Sequence, residues 1–61
     1  MTEEIDNFDR KIIHHLQLNG RLANQELAEL VGLSTSQCSR RRINLEQKKI
    51  ITGYYAQIAL D

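Results

Sequence analysis

Proline is absent from this chain of 61 residues, tryptophan is absent, and cysteine occurs once, at Cys38. A small secreted domain stapled by disulfides needs cysteines in pairs, so no such framework exists here. The aromatics are only Phe8, Tyr54 and Tyr55. No apolar run approaches the ~18 residues that span a bilayer. The first residues, MTEEIDNFD, are acidic, whereas a signal peptide starts basic; a cytoplasmic location is therefore expected. A chain of this size forms one small domain, or part of something larger, and buries only ~60% of its unfolded surface.

Net charge is also missing: eight Lys and Arg balance eight Asp and Glu. The charges are nevertheless segregated. Glu3, Glu4, Asp6 and Asp9 crowd the start, while Arg40, Arg41, Arg42, Lys48 and Lys49 face a single acid, Glu46, in the segment 40–49. Fields act locally, so the second block can attract a polyanion although the total is zero.

What is present is helical periodicity. Ile5, Phe8, Ile12 and Leu16 recur at helix spacing, with Ile13 beside them. Asp6 is placed to cap this helix and Asp9 adds negative charge to its first turn. Asn19-Gly20 is expected to stop it, glycine taking the left-handed position, which predicts a helix over about 7–19. His14 points away from the apolar stripe and His15 sits at its edge. Leu22 anchors a short connector, and Asn24 is the expected cap of a second helix over about 25–31, with Leu27, Ala28 and Val31 on one face, Leu30 alongside, and Gly32 ending it. Ser34 and Gln37 then form a capping box, and Leu33 with Cys38 a hydrophobic staple. Two start signals thus agree on a third helix, about 35–48. The remainder, IITGYYAQIAL, is β-branched and aromatic and predicts a strand over about 51–59, with Gly53 as a turn or bulge. A tight glycine turn joining the second and third helices is the sequence form of a helix-turn-helix, and Ala28 suits their closest approach.

On a wheel of about 100° per residue, Cys38, Arg42, Leu45 and Lys49 share the inward face of the third helix. Ser36, Arg40, Asn44 and Gln47 lie opposite, flanked by Gln37 and Arg41 on one edge and Ser39 on the other. Thr35, Ser36 and Gln37 make a first turn slim enough to approach base edges and phosphates. This suits a recognition helix in the major groove of double-stranded DNA. The candidate contacts are Ser34, Thr35, Ser36, Gln37, Ser39, Arg40, Arg41 and Asn44. Gln37 and Asn44 match adenine, and Arg40 matches guanine. Arg41 and Arg42 are expected at phosphates on the flanks, and Lys48 and Lys49 either add backbone contacts or only solvate the end. Charge runs are commonly plain solvated surface; against that stand the helix's second place in the motif and the near-absence of acids on its outer face. Arg42 falls on the inward side and is expected to lay its stem on apolar surface and lift its head out. Ile43 falls outward, where it meets a thymine methyl, the strand or a partner subunit.

Other chemistry is poorly supported. Adjacent His14 and His15 diverge on a helix and find no second ligand pair for a metal. Cys38, in the staple, reads as buried and inert. No nucleophile, base and orienting group occur together, so no enzyme is expected.

The segments FDRKIIHHLQLNGRLANQELAELVGLS, Cys38, Arg40-Arg41, Leu45-Glu46 and IITGYYA, in this order and spacing, resemble the N-terminal DNA-binding domain of the Lrp/AsnC (feast/famine) transcription regulators over nearly all of residues 8–56. The resemblance implies a mainly α, three-helix domain of winged-helix type with a C-terminal β-strand. Its helix-turn-helix would span roughly residues 24–43, Ser34 opening the reading helix. It also implies a homodimer paired through that strand. Members of the family usually carry a second α/β domain that binds amino acids or related small molecules. The 61 residues lack it, as an excised domain or a short stand-alone variant would, and no effector or other cofactor is assigned to them. Three features depart from the pattern. Thr35 and Gln37 replace prolines common after the serine, which bears on base preference; Arg42 replaces an apolar residue; and the effector domain is missing. The function expected is sequence-specific binding of duplex DNA in transcriptional regulation. The alternative is a protein-interaction or dimerisation module that uses the same fold and the open edge of its strand.

Overall fold

The computed structural model describes residues 5–54. Among them three helices follow one another, α1 (Asn7–Leu18), α2 (Asn24–Val31) and α3 (Thr35–Gln47). Each boundary has a local cause. Asp6 Oδ1 accepts the Asp9 N–H at 2.9 Å and the Asp9 carboxylate accepts the Asp6 N–H at 3.3 Å, closing a capping box at the start of α1. At its end the expected left-handed glycine is not used. Asn19 is extended (φ −151°), its N–H donates to the His15 carbonyl at 2.9 Å, and its side chain accepts the Arg21 N–H at 3.0 Å. The asparagine turn stops the helix by itself, and Gly20 does not take a positive φ.

The expected cap of α2 is also displaced. Ala23, in extended conformation, holds the cap position and Asn24 is already helical. The Glu26 carboxylate accepts the Ala23 N–H at 2.9 Å, which is half of a capping box. The Asn24 side chain is free for another task because it is one residue inside. Gly32 ends α2 at φ 85°, and the N–H groups of Gly32 and Leu33 both reach the Ala28 carbonyl, at 2.9 and 3.0 Å. A Cβ at Gly32 would meet nothing within 4 Å, so glycine is needed there for its backbone conformation, not for space.

Ser34 caps α3 as its sequence predicts: its hydroxyl accepts the Gln37 N–H at 3.2 Å and Gln37 Oε1 accepts the Ser34 N–H at 3.1 Å. At the far end Lys49 takes a positive φ of 64°. The Lys49 N–H donates to the Glu46 carbonyl and the Ile50 N–H to the Leu45 carbonyl, both at 3.0 Å. This is a Schellman closure with lysine where glycine is usual.

The three helices enclose one core of Ile12, Leu16, Leu27, Ala28, Val31, Cys38 and Leu45, each at most 9% exposed. Ile13, Leu22, Leu33, Ile50 and Ile51 pack around it. Full burial of a side chain the size of Leu or Ile stabilises by about 1.5–3 kcal/mol, and Ile12, Leu27 and Leu45 are at 0–1% exposure. Ala28 and Cys38, both small and both buried, sit where α2 and α3 come together.

The expected strand does not begin at residue 51. Ile51 to Tyr54 have no strand structure, and no strand occurs among the described residues for them to pair with. The Ile51 N–H donates, like that of Ile50, to the Leu45 carbonyl, at 3.1 Å. That bond bends the chain back over the end of α3, and both isoleucines are half-buried against the core. Burial of two apolar side chains on the bundle outweighs their β propensity. The rest of the expected strand, 55–59, lies outside the described residues, and with it the strand-mediated dimer and the wing.

Candidate nucleic-acid interface

Successive residues of α3 turn by about 100°, so Arg40, Arg41 and Arg42 cannot share a face. Arg40 points outward and is exposed. Among the described residues it enters no ion pair or side-chain hydrogen bond. Around it the exposed residues are Thr35, Ser36, Gln37, Ile43, Asn44 and Gln47, with Ile43 at 49% exposure. Six of the eight residues expected at DNA (Ser34, Thr35, Ser36, Gln37, Arg40 and Asn44) are exposed, and Ser39 is half-buried at the edge. The hydroxyls of Ser34 and Ser36 lie 3.5 Å apart at the entrance of the helix. Gln37, Arg40, Arg41, Asn44 and Gln47 line a concavity along α3 together with Leu33, Ile43 and Asp9.

The eighth residue, Arg41, is turned toward α1. Its Nη1 donates to Asp6 Oδ1 at 2.9 Å, to Asp6 Oδ2 at 2.7 Å and to Asp9 Oδ1 at 3.2 Å. The guanidinium also lies 5.3 Å from the centroid of the Phe8 ring, within cation–π range. The same two carboxylates that cap α1 therefore hold a cation of α3. The Asp9 N–H donating to the Asp6 carboxylate, followed by the Arg41 side chain, keeps Asp6 below the usual aspartate range. The Asp6 carboxylate, as hydrogen-bond acceptor, raises Arg41 in turn.

Arg42 occupies the opposite flank. Its Nη1 donates to the Leu22 carbonyl at 2.8 Å and to Asn24 Oδ1 at 3.1 Å, and its Nε donates to the Tyr54 hydroxyl at 3.1 Å. The Tyr54 ring lies 4.9 Å from the guanidinium and its hydroxyl donates to the Glu46 carboxylate. An arginine on the inward side thus ties three segments: the connector before α2, α3, and the chain after α3. Both guanidinium groups therefore have partners inside the domain, Arg41 through Nη1 alone with its side chain 32% exposed, and Arg42 through Nη1 and Nε. Glu46, the one acid of α3, sits in the Tyr54 and Arg42 cluster.

Asp6, Asp9, Phe8 and Tyr54 are partners of these cations that local sequence pattern does not reveal. A signal existed for the acids. A block of negative charge without a local partner, and a block of positive charge without one, are candidates for each other. Elsewhere the chemistry is quiet. His14 and His15 meet edge to face with ring centroids 5.3 Å apart. No grouping of three metal-ligating residue types occurs among the described residues. Burial raises the Cys38 thiol above its ordinary range, which suppresses its thiolate. No helix among the described residues is long and apolar enough to cross a membrane.

Comparison with known proteins fits this architecture. Residues 5–46 match the AsnC-type helix-turn-helix domain. The chain is 47% identical over 57 residues to the HTH-type transcriptional regulator YezC of Bacillus subtilis, covering 93% of this chain and 41% of that protein. It is 43% identical over 54 residues to the leucine-responsive regulatory protein of Escherichia coli, covering 88% of this chain and 33% of that one. The crystal structure of a transcriptional regulator of Neisseria meningitidis in complex with L-Met superposes with a TM-score of 0.87 at 46% identity, over 92% of this chain and 36% of that chain. An AsnC family regulator of Agrobacterium tumefaciens gives 0.85 at 40% identity, over 90% and 36%. The 61 residues therefore span between a third and about two-fifths of these relatives. With a matching domain over residues 5–46 and close superposition on solved relatives, the chain belongs to the AsnC-type helix-turn-helix family of transcriptional regulators.

Proposed function

We propose that this domain binds double-stranded DNA sequence-specifically, with α3 in the major groove, as part of a transcriptional regulator. The observation that carries the reading is the outer face of α3. It is the second helix of the helix-turn-helix, its exposed residues are nearly all hydrogen-bonding, and its outward cation, Arg40, has no partner among the described residues. In this reading Gln37 and Asn44 pair with adenine, Arg40 pairs with guanine, and Ser34, Thr35, Ser36 and Ser39 approach phosphates and base edges. A cytoplasmic site of action and the absence of catalysis follow from it.

Two copies, paired through the chain beyond α3, would set their reading helices about 34 Å apart, one duplex turn, or a multiple of that. An amino-acid effector belongs to a second domain of the kind the longer relatives have room for, not to these residues. The competing reading is a dimerisation module that uses the same fold without DNA contact; residues 51–54 form no strand edge, and residues 55–59 of the expected strand lie outside the described residues.

Selection of bound sequences from a random duplex pool tests the proposal. The expected result is an enriched palindrome, with affinity falling steeply as salt rises. Arg40→Ala should relax discrimination at one or two base pairs by about 1–3 kcal/mol each. No enrichment together with salt-independent self-association would overturn the proposal in favour of the dimerisation module.

A further inference from the structure

The Arg41 cluster has the chemistry of an anion site that is already filled. A guanidinium on the flank of a recognition helix is a natural ligand for a DNA phosphate. Here its Nη1 is engaged by both oxygens of Asp6 and by one of Asp9, over the Phe8 ring. Two carboxylates face this one guanidinium, and a further cation, Lys11, has its Nζ 5.7 Å from the centroid of the same Phe8 ring. Both acids also serve α1, Asp6 as its cap and Asp9 as the other half of the capping box and as negative charge in the first turn. Asparagine caps a helix as well as aspartate does, so the capping role of Asp6 does not require its charge. Asp6 remains exposed, its side chain at 53%, with that of Arg41 at 32%. Solvent and ligands can therefore reach the pair.

We infer that Asp6 and Asp9 act as an internal substitute for the DNA backbone, withholding Arg41 from phosphate and so limiting the sequence-independent affinity of the domain. This rests on the DNA-binding reading above and adds to it a determinant outside the recognition helix. The consequence is a domain whose discrimination depends on Arg40, Gln37 and Asn44, with one fewer phosphate contact than its arginine run suggests. A phosphate that displaced Asp6 would gain Arg41, but only against a carboxylate tethered in place.

The test measures binding of the full chain to a random-sequence duplex across a salt series, for wild type, Asp6→Asn, Arg41→Gln and the double variant. Asp6→Asn keeps the cap and removes the charge, which a thermal melt verifies. Its affinity at low salt should rise about two- to fivefold, and its log–log salt slope should steepen by about 0.9, the value for one additional phosphate contact. Arg41→Gln alone should leave the slope unchanged, and the double variant should lose the gain. A gain that persists without Arg41 is a general charge effect and overturns the inference. So does an Arg41→Gln slope shallower by about 0.9, because Arg41 would then already be on a phosphate. Wild-type binding with no change in Asp6→Asn would overturn this inference alone. Absence of binding by every protein would overturn the DNA reading as well, and binding gained only by Asp6→Asn would support the inference while removing DNA binding from the wild-type domain.

Discussion

The two sides of α3 are built on opposite principles. Inward, Cys38 and Leu45 are sealed at 0–1% exposure in the core, and the flanking Arg41 and Arg42 are each fixed by three hydrogen bonds. Outward, Thr35, Ser36, Gln37, Arg40, Ile43, Asn44 and Gln47 are exposed, and the bonds formed at this side join residues of the helix start, Ser34 with Gln37 and with Ser36. One side is committed to the fold, and the other is left available. Stability and recognition are thereby separated within a single helix, and neighbouring residues in the sequence fall into different roles.

The largest test of this division substitutes adjacent layers. Leu45→Ala removes a fully buried side chain from the junction of three helices and should cost about 2–5 kcal/mol, enough to unfold a domain this small. Ile43→Ala, two residues away and half exposed, should change stability by no more than about 0.5 kcal/mol. Chemical denaturation measures both. Equal losses would mean that the outer side is not free surface.

The arginines give the next smaller contrast. Arg42→Ala leaves the Leu22 carbonyl and the Asn24 side chain without their donor and exposes the face of Tyr54, and should cost about 1–2 kcal/mol. Arg40→Ala should be neutral in stability, within about 0.5 kcal/mol. If both were neutral, the Arg42 cluster would be surface ornament, and the segment after α3 would be held only by Ile50 and Ile51.

The helix ends allow a subtler comparison. Gly32 and Lys49 both close a helix at positive φ, 85° and 64°. Gly32→Ala should cost about 1 kcal/mol although the added methyl has room, because the strain lies in the backbone. Lys49→Gly should gain about 0.5 kcal/mol, relief of that strain being partly offset by the greater freedom of glycine in the unfolded chain. Thermal melts of the pair would show opposite signs. The same sign would locate the effect in side-chain contacts instead.

These contrasts also mark what was legible in the sequence. Much that depends on neighbours within about four residues was readable: the Asp6 and Ser34 caps, the Gly32 stop, and the inward or outward sense of α3. The errors arose where a local signal had a competitor. Asn19 stopped α1 before Gly20 was needed, and Ala23 took the cap because Glu26 could serve it. Ile50 and Ile51 have strand-forming side chains but gain more by covering the core. Long-range partners were the least readable. Nothing near Arg41 in sequence identifies Asp6, 35 residues away, and nothing near Arg42 identifies the Leu22 carbonyl. A hydrogen-bonding outer face and the inward position of Arg42 can be read from periodicity, whereas the partners of Arg41 and Arg42 in other segments cannot.

The smallest expected effect is on pH dependence, and it bears on whether the Asp6 charge belongs to the committed side at all. The carboxylate of Asp6 is held below its usual range first by the Asp9 N–H and then by Arg41. A carboxyl group depressed by folding contributes stability when ionised. That contribution is fully present above the unfolded value, about 3.9, and is lost as pH falls from there through the lower folded value. Asp6→Asn retains the cap but has no charge to lose. Wild type should therefore melt slightly above Asp6→Asn at pH 7, with the difference shrinking as pH falls below about 4. A difference that stayed constant as pH fell would assign Asp6 the role of a neutral cap, its contact with Arg41 adding nothing to the folded state.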